Sequence, residues 1–121
     1  MLQSIRLFLL SEAALFLFAS LIHHGVLFHG YKHHEAGIAE GVIGLVLLAG
    51  LALTALRPAS TRAFGLTSQA FAFLGTCVGI AMVAIGVGPR TGPDIALHVG
   101  MIILLIWGLI FTFRARLTPT N

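Results

Sequence analysis

Four long apolar runs, separated by short polar stretches, take up most of the 121 residues. They cover about 7–28, 36–56, 64–87 and 95–113, each close to the roughly 20 residues that carry an α-helix across a bilayer core. The connections between them are short, and short connections force consecutive helices to run antiparallel. The pattern predicts an all-α protein: an integral membrane four-helix bundle running up-down-up-down, as one domain over 1–121.

Within each run, polar residues recur on one helical face. Glu12, Phe16, Ala19 and His23 share a face of the first span, with Ser20 beside them. Glu40, Gly44, Leu47 and Leu51 line up on the second, and Gln69, Phe73, Thr76 and Ile80 on the third. The fourth aligns Asp94, His98, Met101, Leu105, Gly108 and Thr112. A charge turned to lipid costs at least a few kcal/mol, so these faces are expected to point inward. At 1.5 Å per residue, His23, Glu40 and His98 fall roughly 5–7 Å below the same end of the bundle. His33, His34, Glu35, Arg90 and Asp94 are expected above them, at the mouth, with Arg90 and Asp94 gating it and Asp94 as N-cap of the fourth span. His24, turned 100° from His23, is expected to point to a neighbouring helix or to the headgroups. Glu12 and Gln69 form a second polar layer towards the opposite end. It reads either as a neutral Glu12 hydrogen-bonded to Gln69 or a threonine, or as part of a proton or ion relay.

Composition narrows the solvent. Hydrophobic residues make up 58% of the chain and charged residues 9%, against about 25% charged in soluble domains, so most of the surface must meet lipid. The net charge of +3 comes from cations scattered over helix ends. They form no basic patch, which argues against nucleic acid as a partner. Arg6, Arg57, Arg62, Arg114 and Arg116 lie on one side, and Lys32 and Arg90 on the other. That bias places both termini in the cytoplasm of a cell-membrane protein and the histidines outside. The first apolar run is too long for a signal peptide and is expected to be a retained helix. Cys77, the single cysteine, permits no internal disulfide and is expected to be buried as a small hydrophobe. Small residues at helical spacing, Gly37, Gly41 and Gly44, then Ala72, Gly75 and Gly79, permit close backbone approach within the bundle or across a homo-oligomer interface. Trp107 lies opposite the polar stripe of its span, towards lipid or a partner.

The histidine end carries the candidate chemistry. Imidazole with carboxylate suits a metal ion, and His23, Glu40, Asp94 and His98 are its candidate ligands. Haem b is a second candidate, clamped between His23 and His98 with Met101 as an alternative axial ligand. A quinone is a third, hydrogen-bonded by a histidine and a carboxylate and walled by Phe16, Phe73 and Gly44. For such a cofactor the binding residues are His23, Glu40, His98 and Met101. A different class of reading is a non-catalytic accessory subunit that packs against a larger membrane complex. A small oligomeric transporter, with a relay from His98 through Thr76 to Glu12, is a further one. No catalytic constellation is visible, and the glycine-rich stretch 86–92 lacks the strand-to-helix setting of a phosphate loop. With its four-span layout and the Glu40-Gly41-Val42-Ile43-Gly44 opening of the second span, the chain resembles small bacterial membrane proteins of the DoxX-like kind. That resemblance implies a membrane bundle and a quinone-linked redox association, and it carries no functional residue.

Overall fold

The structure, a computed structural model, describes residues 1–115. Its helices are α1 (Leu2–His23), α2 (His34–Leu56), α3 (Thr61–Ile85) and α4 (Gly92–Arg114), with one 3-10 turn at Pro58–Ser60. All four are long and apolar enough to cross a membrane, and they pack as a multi-pass bundle with no strand among the described residues. Arg116, counted with the cations above, lies outside the described residues.

The helices extend past the apolar runs because polar residues at their ends are helical too. His34 and Glu35 open α2, and Thr61 and Arg62 open α3. The first span departs most from expectation. Its helix begins at Leu2 and stops at His23, five residues before the expected Phe28. Gly25 adopts φ +74°, a left-handed conformation that residues with a Cβ avoid. The chain then doubles back, with the His33 N–H donating to the His23 carbonyl at 2.8 Å. His23 is therefore the last residue of its helix, not a residue roughly 7 Å below its end.

The apolar core is built from Ile5, Leu9, Phe16, Leu47, Met101 and Leu105, all fully buried. Close packing of α1 on α2 uses the glycine stripe. A Cβ at Gly41 would meet Ser20 Oγ at 3.1 Å, and one at Gly44 would meet Leu17 Cγ at 2.8 Å. Gly75 accommodates Ile43 in the same way, at 2.9 Å. Both stripes thus serve contacts inside the bundle. Outward faces are apolar, with Trp107 67% exposed, as a lipid-facing surface requires. Cys77 is exposed on that surface, which corrects its expected burial: Thr76 takes the inward position, and Cys77 lies one 100° step around the helix.

Three arginines close helix ends. Arg6 donates to the Thr54 carbonyl near the end of α2 (2.6 Å) and Arg62 to the Phe113 carbonyl of α4 (2.7 Å). Arg90 donates to the Val83 and Ala84 carbonyls of α3 at 2.9 and 3.0 Å. Helix C-termini leave carbonyls without partners and carry partial negative charge, so cations settle there.

Candidate functional site

Three helices converge on His23. Its Nδ1 is 2.7 Å from Glu40 Oε2 on α2, and its Nε2 is 3.2 Å from Asp94 Oδ1 on α4. All three residues are buried. Carboxylates only accept, so with both ionised His23 donates from both ring nitrogens as an imidazolium between two anions. The phase argument that turned His23, Glu40 and Asp94 inward agrees with this arrangement. The placement of Asp94 differs from expectation, however. The N-cap of α4 is Thr91, and Asp94 stands at N3, completing a capping box with it. Asp94 Oδ2 accepts from the Thr91 backbone N–H at 3.0 Å and from its hydroxyl, while Oδ1 faces His23.

The Tyr31 hydroxyl bonds Thr91 Oγ1, and the Tyr31 ring stacks on His23 with centroids 6.1 Å apart. Burial, reinforced by the Asp94 carboxylate, raises the Tyr31 phenol above its ordinary value. Tyr31 and Thr91 lie in connections, outside the helical faces that marked the candidate site residues. The signals available for them were the Thr-x-x-Asp capping spacing and the nearness of an aromatic residue to the histidine run.

Beside this cluster, a cavity of about 260 Å³ opens among α2, α3, α4 and the 86–91 turn. Its walls are mostly apolar, including Phe16, Ile43, Met82, Val83 and Met101, and Gly75 and Gly79 widen it. Glu40, His98 and Thr76 also line it, with His33 and Glu35 nearer the rim. Glu40 is 5% exposed, and its second oxygen, Oε1, is buried with no hydrogen-bond partner. A buried acceptor without a partner costs about 1–3 kcal/mol, and more when charged. His98 Nδ1 lies 2.8 Å from the Asp94 carbonyl; a carbonyl only accepts, so that nitrogen carries the proton. His98 therefore shares the cavity with Glu40 but stays outside the His23 cluster.

Other expected site residues go elsewhere. Arg90 is occupied with the end of α3 and does not line the cavity. His34 opens α2 and packs edge-on against His24, centroids 5.4 Å apart. His24 turns to α2, where its ring fills the space above Gly37. Gly44, expected against a flat ligand, is covered by Leu17, and Phe73 packs against the core.

The second polar layer is a direct contact. Gln69 Nε2 donates to both Glu12 oxygens, at 2.9 and 3.1 Å. Gly108 leaves room for it, since a Cβ there would collide with both side chains. Thr54 belongs instead to Arg6, donating nothing to Glu12 and accepting from Arg6 Nε at 3.1 Å.

The donor set fits a metal or haem iron poorly. Both ring nitrogens of His23 are committed to carboxylates, which leaves no lone pair for a metal. Among the described residues, no group of three or more His, Cys, Asp or Glu side chains is placed to hold a metal ion. No protein-family model, no curated protein and no solved structure matches this chain.

Proposed function

We propose that this protein is a membrane-embedded binding protein for a small lipophilic ligand of the quinone class, seated beside Glu40 and His98. The observation that carries this reading is Glu40 Oε1, a buried oxygen without a partner on the wall of an otherwise apolar cavity. Ligand sites combine apolar walls with a few directed polar groups, and a ring carrying oxygen substituents matches that combination. The Lys/Arg bias supports a site in the outer leaflet with both termini in the cytoplasm. His23 and Asp94 hold the Glu40 carboxylate in place and are positioning residues. The accessory-subunit alternative drew on the glycine stripes, and contacts inside the bundle account for those.

The test is purification in mild detergent, followed by organic extraction of the sample, its absorption spectrum and its metal content. About one quinone-class molecule per chain, lost in Glu40→Leu, is the expected result. Stoichiometric haem or metal, or an extract without quinone together with failure to bind added quinone or hydroquinone, overturns the proposal.

A further inference from the structure

Resting on the quinone-class reading, we infer that the cavity selects the reduced, dihydroxy form of its ligand over the oxidised dione. The two forms share size, ring and tail. They differ in what the two ring oxygens offer: hydroxyls donate, whereas dione oxygens only accept.

Glu40, His98 and Thr76, the polar side chains deepest in the cavity, present acceptors. Glu40 Oε2 is taken by His23, leaving Oε1 open. The Nδ1 proton of His98 is fixed on the Asp94 carbonyl, so in the neutral ring Nε2 presents a lone pair. A Cβ placed on cavity-lining Gly79 would lie 3.7 Å from that nitrogen. The Thr76 hydroxyl spends its proton on the Ala72 carbonyl at 2.7 Å and has only lone pairs left. His33, at the rim, is the one lining side chain whose contacts leave its proton unassigned, with Nδ1 3.7 Å from Glu35 Oε2.

With Glu40 ionised beside a His23 imidazolium, a hydroquinone hydroxyl on Glu40 Oε1 satisfies an otherwise unpaired buried oxygen through a charge-assisted hydrogen bond. A dione oxygen at the same place sets lone pair against lone pair. Sites that bond a hydroxyl reject the analogue lacking it strongly, because their own polar groups are stranded.

The experiment uses the full chain in phosphatidylcholine nanodiscs, without oxygen, and measures binding above empty nanodiscs. Three probes of one shape are compared: a decyl-substituted benzohydroquinone, its benzoquinone and its dimethyl ether. The hydroquinone is expected to bind at least about tenfold more tightly than either of the others. The midpoint potential of the bound two-electron couple then rises by about 30 mV for each tenfold preference. In Glu40→Gln the amide NH2 replaces the open oxygen as a donor, and the preference shrinks or reverses. His98→Leu, which leaves the His23 cluster intact, weakens the hydroquinone more than the dione and serves as the second variant. A dione or an ether that binds as well as the hydroquinone overturns the selection while leaving the binding reading standing. If none of the three binds, both fall together.

Discussion

The imidazole of His23 and the carboxylate of Glu40, at the end of α1 and two turns into α2, meet at 2.7 Å inside the bundle. Asp94 approaches the other ring nitrogen at 3.2 Å. One imidazole thus separates two carboxylates that would otherwise repel across a low-dielectric interior.

Removing that imidazole is expected to be costly. His23→Ala strands two buried carboxylates, and breaking a buried pair costs about 3–5 kcal/mol. Unfolding monitored by circular dichroism in mixed micelles should show the loss. Restoration of stability in His23→Ala with Glu40→Gln and Asp94→Asn would confirm charge as the cause. Unchanged stability in the single variant contradicts the triad.

The Glu12–Gln69 contact predicts an asymmetry. Gln69→Leu removes the donor that serves both Glu12 oxygens and is expected to cost about 1–3 kcal/mol. Glu12→Gln keeps a polar partner and should cost clearly less. The same unfolding assay distinguishes them, and equal effects would show that the contact contributes little.

Two glycines of α4 should behave oppositely. A Cβ at Gly108 collides with Glu12 and Gln69, whereas one at Gly100 meets open space. Gly108→Ala is expected to destabilise by about 1–3 kcal/mol through overpacking. Gly100→Ala is expected to be neutral or stabilising by up to about 1 kcal/mol, since helical glycine carries an entropic penalty.

Trp107, the only tryptophan, reports on the lipid face. Its fluorescence should be quenched strongly by brominated lipid and weakly by acrylamide. Protection from brominated lipid would instead mean that this face is covered by protein.

Much of this was legible along the chain. Periodicity separates inward from outward positions on long helices, so the interior placement of His23, Glu40, Asp94, Glu12 and Gln69 is legible without their contacts. Hydropathy marked the apolar runs but not the helices. Val26, Leu27 and Phe28 extend the first run past a glycine that ends the helix. Cys77 eluded composition because, in a membrane bundle, a small apolar residue is as welcome outside as inside. Arg90, Thr91 and Tyr31 sit in connections, where no period fixes direction, and only their hydrogen bonds revealed what they do.

Asp94 uses one oxygen to start α4 and the other to hold His23. Fraying of the first turn of α4 therefore releases the ring, and release of the ring frees the turn to fray. Thr91→Val, a change in a surface-exposed connection, should consequently speed amide hydrogen exchange in residues around Glu40 on a different helix. The start of one helix and the seat of the buried imidazole therefore share a single carboxylate, and loosening either is expected to loosen the other.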